Sequence, residues 1–385
     1  MPFISYPYEW PFPALKAAAL LHLDLQLMGL EDGVALSDAS AYNVQFIGPR
    51  PIFIDILSFR RYREGEFWAG HRQFCEQFLH PLLLRACLGV PHNAWYRGAL
   101  EGISGLDLCQ LLPIRHRLNW NVLAHVFLPA KWQRTAIEQG ETKAVERVRS
   151  KKLSPMAYRG LLTQLRSWIA KLEPKDTGRT VWGEYAETHS YHSDEERAKR
   201  TVIAEFVRKV RPQMLWDMGC NTGAYAELAI EAGAGGVIGF DFDQGGLEKA
   251  FARARSKDLN LLPLFLDAAN PSPNQGWDGL ERKGLRERAS ADALIALAFI
   301  HHLAIGRNIP LDKAVGWLVD LAPCGVIEFV QKSDPTVQRM LALREDIFEH
   351  YTEEAFVAAL QQRAKIVRAE TVSAAGRRLF LYERH

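Results

Sequence analysis

The chain has 385 residues, 48% hydrophobic and 24% charged, so it can bury a substantial core and lacks the low hydrophobicity and high net charge of a disordered protein. A net charge of +2 gives no overall nucleic-acid footprint, and the length exceeds what one α/β core normally requires. The five cysteines, at 75, 87, 109, 220 and 324, include no C-x-x-C pair, which argues against a zinc site, predicts no metal, and fits buried thiols in a reducing cytosol.

Residues 1–130 form the first expected module. Its start is rich in aromatics and proline, and a helix is expected over 14–27. Between Leu36 and Phe59, two short apolar strands flank the turn Gly48-Pro49, with Asp38, Asn43 and Asp55 at their ends. The layout resembles the catalytic-loop and metal-loop hairpin of the protein kinases, where an Asp five residues before an Asn is the base and a later Asp holds magnesium. The His-Arg pair is missing before Asp38, Ile-Leu-Ser follows Asp55 in place of Phe-Gly, and 37 residues before Asp38 are too few for a nucleotide-binding lobe. The expectation is a degenerate, kinase-like lobe used for docking; plain loop caps account for the same residues equally well.

Residues 131–180 carry twelve basic against five acidic side chains and are expected to be a basic helical linker. Leu161, Leu162, Leu165, Trp168, Ile169 and Leu172 recur there at helical spacing. A nucleic-acid or acidic-substrate patch is the alternative. From Trp182 onward a further domain is expected over 181–385, where Ser193 with Glu196 three residues on makes a capping box.

The most informative stretch follows. An apolar strand ends at Asp217 and runs into a glycine turn, Gly219-Cys220-Asn221-Thr222-Gly223, with a helix expected from Ala224. The spacing lacks the middle glycine of the pyrophosphate fingerprint, and Asp217 suits a cationic ligand better than a pyrophosphate. A second strand, 236–240, ends in Asp241-Phe242-Asp243, where a doubly wound nucleotide domain places its ribose-binding acid; a third, 261–266, ends in Asp267. Four more strands are expected at 291–298, 325–330, 364–372 and 378–382, with helices between, for example 224–231, 245–255 and 352–361. The fourth strand runs into His301-His302, and Glu328 lies in the fifth. A histidine near its free pKa removes a proton from an acceptor while a carboxylate orients it; one histidine bonding only the backbone is the plainer reading.

From Trp182 onward, these residues resemble the class I S-adenosylmethionine-dependent methyltransferases. The resemblance implies a Rossmann-like, seven-stranded sheet whose last strand is antiparallel. It implies cofactor contacts from Asp217, Gly219, Asn221, Thr222 and Gly223, from Asp241 at the ribose and Asp267 at the adenine amine, and from the neighbouring Phe242 and Ala268. In related methyltransferases a segment before the first strand folds over the cofactor, which assigns Tyr191 and Lys199 to its methionine end or leaves them as cap and solvent residues. Taken with Ser5-Tyr-Pro-Tyr-Glu-Trp, Asp38-Ala-Ser-Ala-Tyr-Asn and Phe74-Cys-Glu-Gln-Phe-Leu-His-Pro, the whole chain is similar to the bacterial class I methyltransferase family that includes the nodulation-associated NoeA proteins.

The resulting expectation is an α/β methyltransferase domain behind a mainly helical module with a β-hairpin. S-adenosylmethionine is the expected cofactor and a small molecule with an O or N nucleophile the expected acceptor, with His301, His302 and Glu328 as catalytic candidates. A cofactor-sensing, partner-docking protein and a methyltransferase of macromolecules are the alternatives. No apolar run approaches the ~18 residues of a membrane helix and no leader pattern opens the chain, so a soluble cytoplasmic protein is expected.

Overall fold

The computed structural model describes residues 3–66, 68–139, 153–175, 193–342 and 345–385. The chain forms two compact units, one of Ser5–Phe46 and Arg50–Thr177, the other of Met1–Ile4, Ile47–Pro49 and Gly178–His385. The second unit is therefore discontinuous in sequence.

The first unit is organised on the helix Phe12–Glu31, opened by Pro11 at the N-cap and Pro13 in the first turn, where a missing N–H is harmless. Phe12, Leu15, Ala19 and Leu23 share its buried face. The helix Pro155–Ala170 packs against it through Tyr158, Leu162, Leu165 and Ile169. Gln26 Nε2 donates to Tyr158 Oη at 2.9 Å, and Arg166 pairs with Asp24. The expected linker thus supplies a core helix instead, because its apolar stripe needs a partner and finds one more than a hundred residues earlier. The basic residues 147–152 lie outside the described residues, as do residues 182–191.

Four short strands complete this unit. β1 (Val34–Leu36) and β4 (Phe59–Arg61) pair antiparallel, and β2 (Val44–Ile47) pairs with β3 (Arg50–Phe53). Asp38, Asn43 and Asp55 converge beside them: Asn43 Nδ2 donates to Asp38 Oδ1 at 3.0 Å and to Asp55 Oδ2 at 3.3 Å. Burial, then the charge of Asp55, raises the Asp38 pKa. Asp55 also caps the turn Ile56–Ser58 by accepting from the Leu57 amide at 3.1 Å, so capping and convergence coexist in one residue.

In the second unit, β5 (Leu215–Met218), β6 (Val237–Asp241), β7 (Leu261–Phe265), β8 (Ala293–Ala296), β9 (Cys324–Phe329), β10 (Ala364–Thr371) and β11 (Arg378–Arg384) form one sheet in the order β10-β11-β9-β8-β5-β6-β7. β5 through β9 pair in parallel, and β11 runs antiparallel to both neighbours. This is the expected Rossmann-like sheet with a reversed last strand. The central strands are apolar without alternation because both faces are covered: β5 and β8 are buried at every position. β10, at the edge, alternates instead and carries Lys365, Arg368 and Glu370.

Crossover helices include Ala224–Glu231, Gln244–Ser256 and Leu311–Leu321. The helix Ser193–Val210 contributes Val202, Ile203 and Val207 to a core with Leu215, Val237, Ile295 and Val326. Phe3 belongs to the same unit, edge-on to Trp216 at 5.6 Å and to Phe240 at 6.1 Å, with the Arg288 guanidinium 5.0 Å above its ring. Among the described residues, no helix is long and apolar enough to cross a membrane.

Candidate functional site

Strand order reverses between β5 and β8, since β6 and β7 lie on one side and β9 on the other. A crevice opens there, beyond the carboxyl ends of the strands. It is a cavity of about 700 Å³ within the second unit, in the size range of small-molecule sites.

One wall is the loop after β5. The Gly219 amide donates to Phe240 O at 2.8 Å and the Cys220 amide to the same oxygen at 3.0 Å, which folds the loop back onto β6. Gly219 has φ +85°, and a Cβ there would meet the Phe299 ring at 3.0 Å. Gly223, at φ +76°, opens the helix Ala224–Glu231; a Cβ would lie 3.0 Å from Leu261 and 3.3 Å from Ala250. Gly219 faces the cavity, whereas Gly223 is needed for helix packing. Asn221 and Thr222 are in the wall, and Arg253 Nε holds the loop through Thr222 O at 2.9 Å.

Asp241 joins this loop to the end of β6. Its Oδ2 accepts from the Asn221 amide at 2.7 Å and its Oδ1 from the Asp243 amide at 2.8 Å. Burial raises its pKa and these amides oppose the rise. Both acids, two positions apart, line the cavity, and Asp243 also caps the helix Gln244–Ser256 through the Gly245 and Gly246 amides, at 2.8 and 3.2 Å. Phe242, Asp267 and Ala268 line the next section. The Phe242 ring lies 5.6 Å from Phe265, and the Arg307 guanidinium is 5.6 Å from the Phe242 ring and 3.8 Å from Asp267 Oδ1. An aromatic face thus stands beside a carboxylate in this part of the wall.

Asp217 sits elsewhere than expected. It is buried in β5 beneath the loop, outside the cavity wall, and its Oδ2 has no hydrogen-bond partner among the described residues. Burial, then the charge of Asp241, pushes its pKa up to about 8. Tyr191 lies outside the described residues.

The far end of the cavity holds His301, His302, Glu328 and Lys199. Glu328 is fully buried; its Oε2 accepts from the Ala298 amide and its Oε1 pairs with Lys199 Nζ, both at 2.8 Å. Lys199 also pairs with Glu195 at 2.8 Å. Arg377 chelates Asp334 at 2.7 and 3.2 Å and lies 3.7 Å from both Glu195 and Glu328. Burial opposes the charge on Arg377, yet Asp334, Glu328 and Glu195 raise its pKa overall, and Arg377 holds Asp334 below the usual carboxylate value. Sequence reasoning missed Arg377, which carries no local signal; the reversed β11 brings the β10–β11 turn to the end of β9, where Arg378 pairs with Phe329.

Burial favours the neutral form of both histidines. Burial, then His302 and Arg377, pushes His301 well below its ordinary value, and burial alone takes His302 down to about 4. Neither ring nitrogen of His301 has a hydrogen-bond partner among the described residues, and the two rings are 4.2 Å apart. Such a site orients an acceptor by hydrogen bonding more readily than it strips a proton from it.

No protein-family model matches the chain. Among solved structures it is similar to the N-methyltransferase NodS of Bradyrhizobium japonicum WM9 in complex with S-adenosyl-L-homocysteine, with 14% identity, TM-score 0.39, and coverage of 52% of this chain and 95% of that one. Magnesium protoporphyrin IX methyltransferase of Synechocystis PCC 6803 with bound S-adenosylhomocysteine gives 17% identity, TM-score 0.38, and coverage of 51% and 89%. Nodulation protein NoeA of Rhizobium meliloti (strain 1021) is 49% identical over 386 aligned residues, spanning 99% of this chain and 80% of the relative. With identity at that level over nearly its whole length, the chain belongs to the NoeA family.

Proposed function

We propose that the second unit binds S-adenosylmethionine and that the protein is a methyltransferase acting on an oxygen or nitrogen nucleophile of a small molecule. The observation that carries this reading is Asp241. Its carboxylate accepts the Asn221, Asp243 and Phe242 amides, which hold it in place and still leave acceptor capacity for a ribose hydroxyl, and it lies between the glycine loop and the Phe242–Asp267 slot. Ribose hydroxyls at Asp241 and a base between Phe242 and Asp267 put a nucleoside's 5′ end toward Gly219 and Lys199.

When bound, the sulfonium supplies an activated methyl carbon and a neutral leaving group. The protein's part is alignment, which accounts for much of the rate of such a transfer. Glu195 is a charge partner for the amino end of the ligand and Lys199 for its carboxylate, and His301 presents an unoccupied ring nitrogen to the acceptor. Glu328, bonded to the Ala298 amide and Lys199, is a positioning group in this reading.

Calorimetric titration of the full chain with S-adenosylmethionine and with S-adenosylhomocysteine tests the reading. Binding of both is expected, with Asp241→Ala weakening each more than tenfold, whereas Asp217→Asn, beneath the loop, leaves affinity within about threefold; tenfold is about 1.4 kcal/mol. An unaltered chain that binds neither compound overturns it.

A further inference from the structure

The first unit holds a second cluster of chemically capable side chains, remote in sequence from everything described above. The helix His71–Phe74 runs directly into a π-helical turn, Cys75–Leu79, and a second π turn spans Leu123–Phe127. Such turns make up well under 1% of residues and concentrate at functional sites. Here both carry a candidate ligand. His71 and Cys75, four apart, present to the same face, and His125 from the other turn meets them.

One ring nitrogen each of His71 and His125 and the Cys75 Sγ all lie within 4.8 Å of one another. Cys75 Sγ is 3.6 Å from His71 Nε2, and His71 Nε2 is 3.0 Å from His125 Nδ1. Zinc bonds of about 2.0–2.1 Å to nitrogen and about 2.3 Å to sulfur, opened to a tetrahedral angle, place such atoms roughly 3.3–3.6 Å apart. The two His71 edges, 3.0 and 3.6 Å, bracket that range, and the Cys75–His125 edge is within 4.8 Å, so a metal asks for a modest adjustment of the three side chains.

The rings are also held in place. Trp168 stacks on His125 at 6.2 Å and 22°, Trp68 packs edge-on against His71 at 5.6 Å, and Gln164 hydrogen-bonds the His125 ring. Outer contacts that orient ligating histidines are the usual support of a metal site. Cys75 is buried and His71 is partly open, which leaves an approach for an ion.

We propose that His71, Cys75 and His125 bind a borderline-soft divalent ion, zinc in the first instance, with solvent as the fourth ligand. On binding, Nε2 of His71 and Nδ1 of His125 each donate a lone pair, and Cys75 Sγ gives up its proton to solvent as the sulfur–metal bond forms. Two imidazoles and one thiolate select zinc, or cobalt as its probe, over magnesium or calcium. The ion clips the π turn Cys75–Leu79 to the π turn Leu123–Phe127.

The test is cobalt(II) titration of the metal-stripped full chain, with zinc quantified by mass spectrometry on the protein as purified. Roughly one equivalent of cobalt is expected to give intense tetrahedral visible bands and a near-ultraviolet sulfur-to-cobalt charge-transfer band, both displaced by zinc. Cys75→Ser should abolish the charge-transfer band, while Cys109→Ser, a thiol of the same unit outside the cluster, should retain it. His125→Asn should weaken cobalt binding at least tenfold. Should Cys75→Ser fail to fold, the unaltered chain decides: zinc must raise its melting temperature and a chelator must reverse the rise. Absence of tetrahedral bands from the unaltered chain, or a charge-transfer band that survives in folded Cys75→Ser, overturns the proposal.

Discussion

Asp217 and Asp241 show how one sequence signal divides at the level of single residues. Both lie at the ends of parallel strands, and the sequence makes both cofactor contacts, Asp217 for a cationic ligand and Asp241 for the ribose. The structure puts one in the cavity wall with two amides on it and the other beneath the loop with an oxygen that no described group satisfies. The difference has a pH signature. Asp217 has its folded pKa raised to about 8, so between about pH 4 and 8 the folded chain holds a proton that the unfolded chain has lost. Stability contributed by this group is therefore fully present below the unfolded value and falls as pH rises through that window, by at most about 1.4 kcal/mol per pH unit. Asp217→Asn should flatten the decline and raise the melting temperature of the ligand-free protein at pH 8; a decline unchanged in the variant contradicts the assignment. Which of Asp241 and Asp243 caps the helix was likewise not legible in the sequence, because either serves two or three residues before a helical turn.

At the scale of elements, the strands and helices of the second unit were readable because parallel strands buried on both faces are unbroken apolar runs, and the helices between them carry a 3.6-residue stripe. Partners were not readable. The stripe of Leu162, Leu165 and Ile169 announces a helix but cannot name Phe12–Glu31 as the surface it covers, and neither π turn has a sequence signature. The expectation of no metal rested on the missing C-x-x-C pair, while His71, Cys75 and His125 are gathered by two turns about fifty residues apart. Arg377 belongs to this scale too, since only the reversal of β11 delivers it to Glu328. Removing it leaves Asp334 and Glu328, both essentially inaccessible, short of a counter-charge. Arg377→Ala should cost about 3–5 kcal/mol in denaturant unfolding at neutral pH. Asp334, whose pKa is depressed, contributes its share above its unfolded value and loses it as pH falls through the folded one, so the penalty should shrink in acid. A penalty below about 1 kcal/mol would mean that the network is loosely held.

For the whole molecule, the division into two units assigns Phe3 to the unit whose remaining residues lie mostly after Gly178. Phe3 is 3% exposed, against Trp216 and Phe240. Phe3→Ala should cost about 3 kcal/mol or more, as for other buried aromatics. Hydrogen exchange should quicken at the amides of β5 and β6 and stay unchanged in the helix Phe12–Glu31. Uniform quickening in both units would show that they unfold together.

The same residue sets an order of events during synthesis. Trp216 and Phe240 are made more than roughly two hundred residues after Phe3, an interval of about 10–40 s at ordinary elongation rates. The residues of the first unit are all made before β5 exists, so that unit is free to fold early while Phe3 stays without its mates. In the nascent protein Phe3 thus stays without its ring partners until β5 and β6 are made, and a chaperone that shields exposed aromatics would act on this chain during that interval.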